Sequence, residues 1–250
     1  MPLSPRDIRR IILTQSKRAN VGHIGSCLSI VEILAALYGG VLIASTPDDT
    51  DRDRFILSKG HAALTLYAVL ALLGRISDEQ LNTFCADGGV LGVHPEAALT
   101  GVDFSTGSLG QGVTIAVGVA LAARLQGSSR RAFCLVSDGE CNEGSVWEAA
   151  MFAGHHGLSN LIVIADMNGQ QALDLTRRVS VADNMAERWK AFGWQVSAVD
   201  GHSIEQLNVA LKAPGTGRPQ ILLARTVFGR ASSSWSGASR SRSPISRSEP

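Results

Sequence analysis

Between Arg131 and Gln171 the chain reads R-A-F-C-L-V-S-D-G-E-C-N-E-G-S-V-W-E-A-A-M-F-A-G-H-H-G-L-S-N-L-I-V-I-A-D-M-N-G-Q-Q, and this stretch restricts the possible folds more than any other. Its two short apolar runs, Ala132 to Val136 and Leu161 to Ala165, are bounded by polar or turn residues and rich enough in β-branched side chains to be buried strands. A turn and an amphipathic segment lie between them. That is a βαβ unit, whose right-handed crossover places both strands parallel in one sheet with their C-terminal ends at one edge. Asp138 and Gly139 follow the first run; Asn168 and Gly169 follow the second, about thirty positions on. In open α/β sheets ligands bind at that edge.

An acid and an amide oxygen converging there suit a hard cation. Mg²⁺ prefers octahedral oxygen ligation, with one or two protein carboxylates and with waters and substrate phosphates completing the shell. Gly139 lets backbone N–H groups approach an anion, and the following helix N-terminus adds its dipole. The spacing therefore points to a metal with a diphosphate.

The rest of the chain supplies a doubly wound pattern. Residues 5 to 18 carry Ile8, Ile11, Ile12 and Gln15 at helical spacing. A glycine-flanked His23 precedes a helix expected from about Ile30 to Tyr38. Read alone, His23 is a turn residue, although glycines also let a backbone pass close to a ligand. Phe55 to Ser58 reads as a strand ending in Lys59-Gly60-His61, and Ala62 to Leu73 as a helix closed by Gly74. His61 thus stands at a strand-to-helix junction, within reach of an anion. Gly88 to Gly112 is a long irregular loop, of the kind that is functional or disordered in compact domains. Helix 113–125 is evenly apolar, which predicts burial on both sides. Further on, a helix from Asn184 to Phe192, a strand from Gln195 to Val199, a helix from Ile204 to Leu211 and a strand from Pro219 to Val227 complete the alternation. Trp189 and Trp194 are expected in the core or an interface, and Asp200 and His202 read as turn and capping residues.

Composition excludes several classes of protein. With 250 residues and 45% hydrophobic side chains, one good-sized α/β domain can bury a real core. A formal charge of +1 gives no support for a nucleic-acid or acidic-membrane partner. No run approaches the roughly eighteen apolar residues of a membrane span, and the start carries no apolar signal segment, so a cytoplasmic protein is expected. Cys27, Cys85, Cys134 and Cys141 are scattered without a C-x-x-C pair and read as structural thiols. From Arg230 the chain turns Ser/Arg-rich and nearly free of aliphatic residues; residues 230–250 are expected to be a disordered tail after a domain spanning 1–229.

The S-D-G motif followed by Asn168 resembles the diphosphate and metal motif of thiamine-diphosphate enzymes, and E-C-N-E-G-S-V-W-E-A-A resembles the transketolase branch. Upstream, V-G-H-I-G, S-K-G-H, H-P-E and T-G-S-L-G-Q-G occur in the transketolase order, so residues 6 to about 229 are similar to that family's N-terminal domain. The resemblance implies a thiamin diphosphate-binding fold: a doubly wound, mostly parallel sheet with helices on both faces. It implies that Asp138, the Asn168 side chain and the Gln170 carbonyl ligate Mg²⁺ or another divalent cation. Gly139 and His61 would meet the diphosphate, while Gly107 and Leu109 line the thiamine rings. His23 and His94 would face the donor sugar. Glu143 and Glu148 resemble an acidic pair that links active sites across a dimer interface, although their spacing alone describes a solvated helix face. Ser137 stands where the single-chain enzymes have glycine and could donate a hydrogen bond.

The implied reaction moves a two-carbon ketol unit from a ketose, phosphorylated or not, to an aldose. The family glutamate that activates the aminopyrimidine belongs to a pyrimidine domain not recognisable here, and neither is the histidine loop that usually follows the last strand. The expected protein is therefore the N-terminal subunit of a split transketolase, assembled α₂β₂-fashion with a separate pyrimidine-domain subunit. Two alternatives stay open: a thiamine-dependent 2-oxo-acid decarboxylase or synthase component, and a truncated, catalytically incompetent subunit.

Overall fold

The computed structural model describes residues 3–43, 49–179 and 184–230. In chain order the elements are α1 (Pro5–Ala19), α2 (Ile24–Ser29), α3 (Val31–Ala36) running into a π turn (Leu37–Val41), β1 (Arg54–Leu57), a 3₁₀ turn (Gly60–Ala62), α4 (Ala63–Leu72) and α5 (Asp78–Leu81). They continue with α6 (Gln111–Leu125), β2 (Ala132–Ser137), a 3₁₀ turn (Glu140–Asn142), α7 (Gly144–His155), β3 (Leu161–Met167), α8 (Thr176–Val179), α9 (Met185–Ala191), β4 (Gln195–Asp200), α10 (Ile204–Lys212) and β5 (Gln220–Arg225). The strands form one sheet of order β1-β2-β3-β5-β4, every neighbouring pair parallel. The expected α/β class and parallel βαβ unit are both present.

Strand alternation divides the core into two layers. Phe133 and Leu135 of β2 face a layer shared with Ile8, Ile12, Leu34 and Leu66, whereas Cys134 and Val136 face Val113, Ala116, Val146 and Ala150. Helices therefore cover both faces, and β2 is buried along its whole length. Each large aliphatic or aromatic side chain so buried contributes about 1.5–3 kcal/mol, which is why continuous apolar runs mark the central strands while the edge strand β4 is half exposed. Trp189 and Trp194 are core residues, 0% and 2% exposed. All four cysteines are free thiols, and burial pushes Cys27 up to about 11, so this thiol is inert at neutral pH.

Several expectations are corrected. The glycine-flanked turn around His23 leads directly into α2, so the helix expected from Ile30 to Tyr38 is instead two short helices meeting at Ile30, followed by a π turn. Burial of α2 against its neighbours outweighs the weak helix propensity of I-G-S-C-L-S. Helix α6 buries Val113, Ala116, Val117, Ala120 and Ala123 on one face but exposes Gly118, Arg124 and Leu125, so it is not enclosed on both sides. His202 is more than a turn residue. Its side chain is 3% exposed, with Nδ1 3.0 Å from Glu32 Oε2 and Nε2 accepting from the Val227 N–H at 2.9 Å. Glu32 also pairs with Arg9 at 2.7 Å. Burial alone would raise the Glu32 carboxyl, but His202 and Arg9 outweigh burial and hold it below its ordinary value. Asp200 is the expected turn residue, accepting from the His202 N–H at 2.9 Å. The tail expected from Arg230 lies, beyond Arg230 itself, outside the described residues.

One packing contact sets a sharp stability test. Helix α7 crosses the turn before β4 so closely that a Cβ on Gly154 would stand 1.8 Å from the Phe192 carbonyl oxygen. Gly154→Ala is expected to cost about 1–3 kcal/mol through forced separation of α7 from that turn. An unchanged urea midpoint would show that the helix can move aside.

Candidate active site

The C-terminal ends of β1, β2 and β3 place the candidate residues along one edge. At the end of β2, Ser137 Oγ accepts the Glu140 N–H at 3.1 Å, turning the chain so that Asp138 and Gly139 sit beyond the strand. As a turn-forming acceptor, Ser137 keeps its own hydroxyl proton for donation. Asp138 is 2% exposed. Its Oδ1 accepts from the Gly139 N–H at 2.8 Å, and its Oδ2 accepts from the Gly169 N–H at 2.9 Å and Thr176 Oγ1 at 2.7 Å. The two turns of the βαβ unit are thereby tied together through one carboxylate.

No cation pairs with Asp138 among the described residues. Burial raises its carboxyl and the neighbouring Asp166 adds to the rise, although hydrogen bonds from Thr176, Gly139 and Gly169 oppose it. A buried carboxylate with no counter-charge is costly in isolation, and a divalent cation relieves that cost.

Asn168, at the end of β3, donates from Nδ2 to Asp166 Oδ2 at 2.8 Å, which orients its Oδ1; that oxygen accepts the Gln170 N–H at 3.0 Å and retains a second lone pair. Among the described residues no three His, Cys, Asp or Glu side chains gather as a metal cage. The available donors are one carboxylate, one amide oxygen and the backbone at Gln170, which leaves ligand positions for water and phosphate oxygens and so suits Mg²⁺. Beside Gly139, Gln171 accepts from Asn142 at 3.2 Å, while its Nε2 is buried without a partner. An unpaired amide donor next to that glycine fits an anion. Asp138, Gly169, Leu175, Thr176 and Arg177 line an open cavity of about 340 Å³ at this place.

The histidines converge from separate loops. His23 has a left-handed backbone (φ 63°) at the start of α2, and its ring centroid lies 5.4 Å from that of His61. His61 follows β1. Gly60 lets this turn press on the 106–107 backbone, since a Cβ there would stand 2.9 Å from Gly107 N, and a Cβ on Gly107 would meet the His94 ring at 3.0 Å. Tyr67 Oη holds the His94 carbonyl at 2.8 Å. Burial first, then Lys59, His23 and His94, push His61 down to about 4, so its ring is neutral at neutral pH. Leu109 is half buried beside Gly110. Glu143 and Glu148 are exposed on α7; Glu143 starts that helix against Gly110, at the rim rather than among the histidines.

Two buried polar centres escaped the motif reading. Lys59 and Asp166, both wholly buried, form an ion pair at 2.5 Å, with Ser29, Thr226 and Asn168 also donating to Asp166. Glu140, 0% exposed, accepts from Ser58 Oγ at 2.5 Å and from the Gly110 N–H at 2.8 Å, anchoring the long loop to the end of β2. Burial raises Glu140, partly offset by those hydrogen bonds. The only sequence sign of either was a charged residue beside a strand end, and its partners lie as far as 137 positions away.

Residues 5–246 match the family described as "Transketolase, thiamine diphosphate binding domain", a match that runs past Arg230. Over 231 residues the chain is 39% identical to the 6-deoxy-6-sulfo-D-fructose transketolase subunit SqwG of Clostridium sp. (strain MSTE9), covering 90% of this chain and 84% of that one. It is 35% identical to an apulose-4-phosphate transketolase subunit of Phocaeicola vulgatus, covering 89% and 81%. The structure superposes on transketolase from Campylobacter jejuni with a TM-score of 0.87 and 32% identity, covering 92% of this chain but 38% of that longer one. The chain belongs to the transketolase family, as a protein of the N-terminal, thiamine-diphosphate-binding kind.

Proposed function

We propose that this chain is the diphosphate-binding subunit of a split transketolase, transferring a two-carbon ketol unit from a ketose to an aldose in the cytoplasm together with a pyrimidine-domain subunit, in an α₂β₂ assembly. The observation that carries the reading is the uncompensated Asp138 carboxylate beside Asn168 and the unpaired Gln171 amide, in a chain that spans most of the length of relatives named as transketolase subunits. In this reading residues 1–229 are the functional domain and 230–250 an appended tail.

Asp138, Asn168 Oδ1 and the Gln170 carbonyl hold Mg²⁺, and Gly139 with Gln171 receives the diphosphate. Gly107 and Leu109 line the ring system. Bound thiamine diphosphate supplies the electron sink for carbon–carbon cleavage. The chain's own residues bind and orient: neutral His61 donates to the cofactor's diphosphate side, whereas exposed His23 and His94 reach sugar hydroxyls and exchange protons there. Glu143 and Glu148 stand on the exposed α7 face, where they meet a second active site across the assembly.

The test mixes the full chain with its pyrimidine-domain subunit, thiamine diphosphate and Mg²⁺, and follows ketol transfer from ketose phosphates and from the substrates named for the relatives. Activity is expected in the mixture and from neither component by itself. Full turnover by the isolated chain overturns the split assignment; turnover of pyruvate in place of ketoses overturns the reaction class.

A further inference from the structure

We propose that Ser26 is a positioning residue that sets the tautomer of His61, keeping the imidazole proton on Nδ1 so that the neutral ring presents a hydrogen-bond donor to an anionic ligand. The donor role rests on the cofactor reading above; the tautomer assignment does not.

Ser26 lies on α2, 6% exposed, with its Oγ 2.8 Å from His61 Nε2. A hydroxyl has one proton to give, and a buried one needs an acceptor. Among the described residues His61 Nε2 is the hydrogen-bond partner of the Ser26 hydroxyl, and it can accept that proton. The hydroxyl is also held in place. The Ser26 carbonyl accepts from Lys59 Nζ at 3.3 Å, and Phe228 packs on the adjoining Gly25, where no Cβ would fit.

When Ser26 donates to Nε2, the proton of a neutral imidazole must sit on Nδ1. The ring is neutral because burial and Lys59 disfavour the imidazolium. Nδ1 itself has no hydrogen-bond partner among the described residues. An imidazole left to itself favours the other tautomer, with its proton on Nε2, so the serine hydroxyl changes what the ring offers. The result is a neutral N–H donor beside a buried lysine, suited to a phosphate oxygen and insensitive to pH around neutrality.

The experiment records long-range ¹H–¹⁵N spectra of the full chain labelled at histidine, with His61 assigned from the loss of its signals in His61→Gln. The expected wild-type pattern is a protonated Nδ1 and an unprotonated, hydrogen-bonded Nε2. Ser26→Ala should move the proton to Nε2 and weaken binding of magnesium pyrophosphate, read by calorimetry, by about 3- to 10-fold. Ser26→Thr, which keeps the hydroxyl, should restore both and guards against a folding defect in the alanine variant. A wild-type His61 protonated at Nε2, or an alanine variant that keeps its proton on Nδ1, overturns the assignment. Should the tautomer follow Ser26 while magnesium pyrophosphate and thiamine diphosphate bind both proteins equally or neither, the tautomer assignment stands and the cofactor reading falls.

Discussion

Asp138→Asn is expected to lower the Mg²⁺-dependent affinity for thiamine diphosphate by about 100-fold or more, since it removes the one carboxylate among the candidate ligands while losses of mere supporting groups around metals cost about 10–100-fold. The substitution should leave the fold in place. It removes a buried charge that no cation among the described residues balances, which favours the apo protein. Against that, the amide offers one acceptor oxygen where the carboxylate serves Gly139, Gly169 and Thr176, so at least one donor is left poorly paired. These opposing effects should shift apo stability by less than about 2 kcal/mol. Calorimetric titration with thiamine diphosphate at fixed Mg²⁺, beside urea unfolding of the apo protein, separates the two quantities. Equal affinity in Asp138→Asn and wild type would remove Asp138 from the metal site.

The second large effect concerns stability. Lys59→Met leaves Asp166 wholly buried without its counter-ion and should cost about 3–5 kcal/mol. Burial alone would raise the Asp166 carboxyl, and it is chiefly Lys59 that outweighs burial and holds it below its ordinary value. Removing the charge as well, in Lys59→Met/Asp166→Asn, should recover a large part of that loss, because the neutral amide can still accept from Ser29 or Thr226. Urea unfolding of the two single variants and the double variant gives the coupling. Simple additivity of the single effects would mean that the pair is not energetically linked. Because Asp166 also orients Asn168, the lysine variant should bind Mg²⁺ and cofactor more weakly than its stability loss alone explains.

Both predictions turn on residues with very different visibility in the sequence. Asp138 and Asn168 were legible because local rules suffice: continuous apolar runs identify buried parallel strands, and the residues just after them must appear at the ligand-binding edge. The Lys59–Asp166 pair was not legible, since nothing local distinguishes a buried lysine from a solvated one until β1 and β3 are placed in the same sheet. His202 shows the same limit, as its neighbours in sequence suggested a turn and its partners Glu32 and Val227 come from α3 and from beyond β5. Helix α2 was missed because glycine and serine lower local helix propensity, whereas burial of Cys27 and Leu28 stabilises the helix from outside.

By itself, then, the sequence determined the class of fold, the parallel βαβ unit from Ala132 to Ala165 and the edge on which Asp138 and Asn168 could gather, the three histidines being placed there only by the family resemblance. Those properties follow from short-range periodicity and turn chemistry. Only the tertiary structure decided which polar groups are buried together, that Asp138 has no counter-charge among the described residues, and that Ser26 rather than a neighbour in the chain partners His61. The physical reason is that the energy of a charge or a hydroxyl depends on burial and on partners within about 3 Å, and those partners are supplied by segments remote in the chain.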